Sequence, residues 1–366
     1  MRFMPNLMQS NLMNLKKLWP KKRQSDVSGH SSKKQVRILS LSGGGIRGLL
    51  SARLLDHLMT QVGASVSDTF HMVAGTSTGA LIGMTQVRPG ALPLSQLPGL
   101  YRELGPVIFQ RPPRWRLRAP WGLRAPKYPL DGLKHGAREL AGDHWLSDCV
   151  IDFLVAAYDL GAGDAHWFRS WDAKSRRDFA LADVGHASAS APTYFPAAKI
   201  IARDRSTHHF VDGGLFANNP SLKAVQEARR LYPQADEIML VSIGTGTWEP
   251  ELNAERAANW GLIRWISPLI EILREVNEDH LQEIVETAMH GHPYYHFDID
   301  ISLKRPGLRR PDRAMDLTSQ ENLNRLDALA DAWIEETEPS LYALAKQLKQ
   351  PKQSQEALGR KSPPLS

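Results

Sequence analysis

Short β-rich apolar runs alternate along the chain with stretches whose apolar residues recur at helical spacing. The first run, Val36-Arg37-Ile38-Leu39-Ser40-Leu41, stops abruptly at Gly43-Gly44-Gly45, and Leu49, Leu50, Leu54, Leu55 and Leu58 then repeat on one helical face. A second run, Phe70 to Ala74, leads into Gly75-Thr76-Ser77-Thr78-Gly79 and the helix-compatible stretch Ala80 to Met84. The third, Glu237 to Ile243, ends in Gly244-Thr245-Gly246. Strands spaced by helical segments predict a mainly parallel sheet, because each crossover lays a helix against one of its faces. Leu262 to Met289 reads as a helical region broken near Pro268. Thr318-Ser319-Gln320-Glu321 reads as a capping box that opens a further helix, whose apolar stripe is Leu323, Leu326, Ala330 and Trp333.

Three segments depart from this rhythm. Residues 1–34 form a basic arm and linker: apolar residues at 8, 12 and 15 share a helical face, Lys16, Lys17, Lys21, Lys22 and Arg23 follow, and Gln24 to Lys34 is polar. Residues 104–130 contain no acid, five Arg, Trp115, Trp121 and prolines at 112, 113, 120, 126 and 129, so an inserted loop is expected there. Residues 349–366 are polar and read as a disordered tail, which leaves 35–348 as the folded domain.

Charge sharpens the picture. The net charge is +6, yet residues 1–37 carry nine Lys or Arg against Asp26, and residues 102–138 carry nine against Glu103 and Asp131. The remainder is therefore acidic, and specific nucleic-acid binding is not expected; two local basic patches suit anionic lipid or a small phosphorylated ligand. A single cysteine, Cys149, excludes an intramolecular disulfide framework. No apolar run approaches the roughly 18 residues that span a bilayer, and Asn6, Gln9, Asn11 and Asn14 interrupt any secretory leader, so a cytoplasmic protein is expected.

Chemistry concentrates at three glycine-rich turns. Gly75-Thr76-Ser77-Thr78-Gly79 is Gly-x-Ser-x-Gly between a strand-like and a helix-like run, the context in which small neighbours at Gly75 and Gly79 permit a sharp turn and expose a serine hydroxyl. Ser42-Gly43-Gly44-Gly45-Ile46-Arg47-Gly48 closes the first strand with unobstructed amides at a helix start, which suits an oxyanion or a phosphate. Gly43, Gly45 and Gly48 also satisfy Gly-x-Gly-x-x-Gly, so a nucleotide-binding module stays open; against it, the second strand runs into Ser77 where a dinucleotide fold wants a ribose-binding acid. Val211-Asp212-Gly213-Gly214 presents a carboxylate on a tight turn. His208, His209, His280 and His290 are the histidines that a Ser-His-Asp triad would draw on.

In this order, with Ser190-Ala191-Pro192-Thr193-Tyr194-Phe195-Pro196 before the aspartate, the chain resembles the patatin-like phospholipases over residues 36–247. The resemblance implies a three-layer α/β/α fold with additional C-terminal helices. It also implies a phospholipase A-type lipid acyl hydrolase using a Ser77–Asp212 dyad, with Gly43 to Gly48 as the oxyanion hole and no metal or cofactor. Membrane phospholipid is then the substrate, met at the inner face of the cell membrane. Trp260 to Met289 and the spelling of the glycine motifs look like the bacterial patatin-like effectors of anti-phage defence. That likeness implies activation by a cyclic dinucleotide such as cyclic GMP-AMP. A homo-oligomer is a separate expectation, one that no motif in the sequence specifies. A constitutive lipase or esterase is the alternative. Arg111, Arg114, Trp115, Arg116, Arg118, Trp121 and Arg124 are the candidate lipid or nucleotide contacts, since Arg grips phosphate and Trp stacks on a base or sits at an interface.

Overall fold

The computed structural model describes residues 33–118, 125–173, 177–248 and 280–361. The chain divides into two units, Met1–Lys33 and Lys34–Ser366. The strands of the second unit are β1 (Gln35–Leu41), β2 (Met72–Gly75), β3 (Asp152–Asp159), β4 (Asp164–Arg169), β5 (Ala198–Ile201), β6 (Thr207–Asp212), β7 (Glu237–Ile243) and β8 (Tyr294–Phe297). Its helices are α1 (Gly48–Val62), α2 (Val66–Thr69), α3 (Thr78–Val87), α4 (Leu97–Ile108), α5 (Pro113–Arg118), α6 (Asp131–Ala141), α7 (Leu181–Ser188), α8 (Ser221–Leu231) and α9 (Gln320–Leu348). Residues 280–288 are also helical.

One sheet runs β5-β6-β3-β2-β1-β7-β8, with β4 added on β3. β8, β7, β1, β2 and β3 are mutually parallel, while β4 and β6 run antiparallel to β3. Alternate strand residues feed two separate cores, as the two-residue period of a strand requires. Leu39, Leu41, Val73, Val155 and Val241 join the core under α1, α3, α4, α6, α7 and α9. Val36, Ile38, Met72, Leu154 and Leu240 join the core under α8, with Val285 and Met289. The result is the three-layer α/β/α arrangement, built on a mainly parallel sheet.

The pairings of β3 place the ends of two other strands together. Val155 pairs with Gly75 of β2 and Phe168 of β4, and Ala157 pairs with Asp212 of β6 and His166 of β4. A strand has two edges, so β4 occupies one of them while β2 and β6 share the other. Along that shared edge β2 runs parallel and β6 antiparallel to β3, so the two strands point at each other and end two β3 residues apart.

Several local expectations need correction. Ser319 caps α9, accepting from Asn322 N–H at 3.3 Å, so the cap sits one residue later than Thr318 and its third helical residue is Asn322, not Glu321. Residues 104–130 are not all loop: α4 runs through Pro106 to Ile108, and Pro113, whose missing N–H costs nothing in a first turn, opens the short α5. Of the region from Leu262 to Met289, residues 262–279, with Pro268, lie outside the described residues, as does Trp260. Among the described residues no helix is long and apolar enough to cross a membrane.

Residues 350–361 are an ordered strap over the amino end of the sheet, not a disordered tail. Leu358 is buried against α8, which contributes roughly 2 kcal/mol. The Arg360 guanidinium meets the buried Asp152 carboxylate at the start of β3, and Arg37 donates to the carbonyls of Leu348 and Gln350. The strap also fixes His71, whose Nδ1 accepts from Arg37 N–H (3.0 Å) and whose Nε2–H donates to Gln353 O (2.9 Å). With Nδ1 facing a donor there is no place for a second proton, and burial pushes the His71 pKa down from 6.5 to about 4. The unfolded chain protonates this ring near 6.5 and the folded one does not until about 4. Its contribution is therefore complete above pH 6.5 and is lost as pH falls towards 4. Denaturant titrations across that window should show stability falling with acidification, and His71→Gln should flatten the dependence by about one proton.

Candidate active site

Ser77 stands where β2 gives way to α3, with φ 53° and ψ −122°, a conformation L-residues rarely adopt and one that lifts the side chain out of the strand-to-helix turn. The flanking glycines are required by contact. A Cβ on Gly75 would approach the Ala80 backbone to 2.7 Å, and one on Gly79 would strike the carbonyl of Leu41. The Ser77 hydroxyl donates to Asp212 Oδ2 at 2.8 Å. The other carboxylate oxygen accepts from Gly214 N–H at 2.7 Å, so the Asp212-Gly213-Gly214 turn orients the carboxylate from behind. A side chain on Gly213 would meet the carbonyl of Ala156 on β3. The serine and the aspartate proposed from sequence are thus in direct contact, both at the carboxyl edge of the sheet.

The glycine loop lies beside them. A 3-10 turn, Gly45–Arg47, leads into α1, with Gly45 at φ 58°. The amides of Gly43, Ile46 and Arg47 donate to the carbonyls of Asn218, Met315 and Gly44, and that of Gly48 to Gly45 and Ile46. Within the loop this leaves the amides of Gly44 and Gly45, which line the cavity, without a backbone acceptor among the described residues. The Arg47 side chain points elsewhere: it is buried and donates to the carbonyls of Gly246 and Arg313, tying loops together. Asn218 Nδ2 and Thr245 Oγ1 both donate to Gly43 O, holding the loop from below. A Cβ on Gly44 would collide with Thr245 and one on Gly45 with Met315 O, so the loop is packed on both sides in a way an open phosphate cradle is not.

An apolar cavity of about 210 Å³ opens at Ser77, walled chiefly by Leu81, Leu97, Leu100, Leu104, Ile108 and Phe195. Tyr101 is among its polar lining residues, hydrogen-bonded to Thr78 Oγ1 and pushed by burial well above the usual phenol range. No histidine lines it among the described residues. His208 bonds Ser206 Oγ at 2.9 Å, and His209, His280 and His290 lie at the surface. Burial, then neighbouring acids, pushes the Cys149 thiol far up, so it is no rival nucleophile. Among the described residues no three His, Cys, Asp or Glu side chains converge as metal ligands would.

Arg111, Arg114 and Trp115 begin the basic insertion, where Trp115 Nε1–H donates to Pro126 O at 3.0 Å. The side chains of Arg116 and Arg118, and residues Trp121 and Arg124 entirely, lie outside the described residues.

Comparison with known proteins agrees with this layout. The sequence profile of the family described as patatin-like phospholipase matches residues 39–225, which carry both glycine-rich turns and the aspartate. The chain belongs to the patatin-like phospholipase family. It is 29% identical over 339 residues to patatin-like protein 2 of Arabidopsis thaliana, spanning 81% of this chain and 82% of that one. It is 29% identical over 283 residues to patatin-like protein 1 of Oryza sativa subsp. indica, spanning 67% and 68%. It is 31% identical over 270 residues to the cGAMP-activated phospholipase of Pseudomonas aeruginosa, spanning 71% and 77%.

Ser188, at the end of α7, escaped sequence reasoning. Its hydroxyl donates to Ala156 O on β3 at 2.6 Å and accepts from the Ser77 N–H at 2.9 Å. Because its one proton is committed to β3, a lone pair is held facing the strained Ser77 amide. Its only sequence signal was its place two residues before Ser190-Ala191-Pro192. In Ser188→Ala both partners lose this bond, a cost of about 1–3 kcal/mol. Steady-state kinetics on a short-chain ester should show kcat falling about ten- to hundredfold with KM little changed. An unchanged kcat would remove Ser188 from the positioning of Ser77.

Proposed function

We propose that this patatin-like phospholipase is a phospholipase A-type lipid acyl hydrolase in which Ser77 is the nucleophile and Asp212 its base. The observation that carries the reading is the 2.8 Å Ser77–Asp212 hydrogen bond at the mouth of an apolar cavity suited to an acyl chain. Ser77 Oγ attacks the ester carbonyl carbon while its proton passes to Asp212, and the carbonyl oxygen gathers negative charge against the amides of Gly44 and Gly45. The turn at Gly214 keeps the carboxylate aimed throughout, because its N–H holds the oxygen that does not face Ser77. Collapse of the tetrahedral species expels the lysophospholipid alcohol, which takes the proton from Asp212. Water, deprotonated by the same carboxylate, then attacks the acyl-enzyme carbonyl; collapse breaks the bond to Ser77 Oγ, which takes the proton back from Asp212 as the fatty acid leaves. No imidazole is needed, since one carboxylate faces the nucleophile directly.

We extend the proposal to control by a cyclic dinucleotide in an anti-phage role. Its support is the 31% identity to a relative named for activation by cGAMP. Fatty-acid release from mixed phospholipid liposomes, with and without a panel of cyclic dinucleotides, tests both parts. Ser77→Ala and Asp212→Asn should each reduce release by roughly four orders of magnitude or more while leaving the melting transition in place. Undiminished release in either variant would overturn the dyad. Release by wild type that is indifferent to every nucleotide would retain the hydrolase as a constitutive lipase and discard the gate.

A further inference from the structure

Between β8 and α9 an irregular strap crosses the carboxyl edge of the sheet, the edge at which Ser77 sits. Thr247, just beyond β7, bridges to Asp300; Ile46 N–H donates to Met315 O at 2.8 Å; and Met315 forms part of the cavity wall. Residues 303–317 contain five Lys or Arg against Asp312 and Asp316. Asp316 is buried and shared by Lys127 and Tyr128, so its charge is matched by Lys127 and it ties the basic insertion alongside the strap. The solvent-facing charge is mainly cationic: Lys304, Arg309, Arg310 and, on α5, Arg114 are exposed, against the exposed Asp312. The acid nearest Arg309 is Glu321 at 3.8 Å, itself exposed and shared with Arg325, a pairing that water largely screens.

Apolar side chains break the surface on the same edge. Val107 follows the cavity-lining turn of α4, Leu215 lines the cavity mouth, and Leu303 and Leu317 lie on the strap; they are between 37% and 56% exposed. Thr318 packs on Gly105 of α4, so the end of the strap lies against that helix. Exposed Leu and Val interspersed with exposed cations, around an opening that admits an acyl chain, match the requirements of an interface with acidic lipid. The apolar side chains enter the acyl boundary, and each cation near an anionic leaflet contributes about 1 kcal/mol.

We propose that this face, formed by the strap and the start of the basic insertion, docks on an anionic phospholipid bilayer and presents the cavity mouth to it. The proposal rests on the phospholipase reading for its purpose but not for its test. Full-length Ser77→Ala protein would be sedimented with vesicles of phosphatidylcholine alone and of phosphatidylcholine mixed with phosphatidylglycerol, at low and high salt. Binding is expected to the mixed vesicles, weakened by salt. Lys304→Glu with Arg309→Glu should reduce it about tenfold or more, and Leu303→Ser with Leu317→Ser should reduce it at both salt concentrations. In the Ser77-intact chain the same substitutions should lower hydrolysis of vesicles and spare that of a soluble short-chain ester, with an unchanged melting transition. Vesicle affinity unaltered in both double variants would overturn the proposal and leave the basic residues 1–34 as the attachment. Wild type without any esterase activity, but with binding lost in the variants, would overturn the hydrolase and keep the docking face.

Discussion

Everything at the site depends on two strands sharing one edge of β3 and running towards each other. A parallel sheet alone delivers all its strand ends to one side, but each in its own lane, about 4.8 Å from the next. Reversing β6 and seating it beyond β2 along the same edge puts Asp212 opposite Ala157, two residues from where Gly75 pairs with Val155. The gap between the two ends is filled by Ser77. A hydrogen bond of 2.8 Å between residues 135 apart in sequence is thereby set by backbone ladders, not by flexible side chains.

That placement makes the strained serine tolerable. Its positive φ costs of order 1–3 kcal/mol in isolation, and the surroundings hold it there. The N–H is met by Ser188, whose own proton is anchored on β3, and the following helix packs so closely that Gly79 has no room for a side chain. The glycine loop is held in the same manner: Asn218 and Thr245 fix it from one side and Met315 from the other. Gly44 and Gly45 line the cavity there, as does the serine.

α9 connects the two ends of this construction. Its 29 residues span about 43 Å. Near its start lies the strap that bounds the cavity and gathers cations at the carboxyl edge. At its end Arg37 collects the terminal carbonyls, and the chain continues into the strap that carries Leu358 and Arg360 across the amino edge. Polar composition misleads there. Residues 350–361 are ordered because a few side chains meet partners that are already buried, Asp152 above all, whose carboxylate has Arg360 as its one ion-pair partner among the described residues.

By itself the sequence determined what short-range physics can express. Period and punctuation marked β1, β2, β7, the helices after the first two and the alternation that makes a covered parallel sheet. Glycine spacing marked the three turns, because a sharp bend, a close approach or a positive φ excludes other side chains locally. Only the tertiary structure decided which of those turns meet. The head-to-head run of β2 and β6, the bond from Ser188 to the Ser77 amide and the reach of Met315 over the glycine loop all join residues more than a hundred positions apart. Such contacts are chosen by strand register and packing summed over the whole domain, and no pattern within a local window carries that sum.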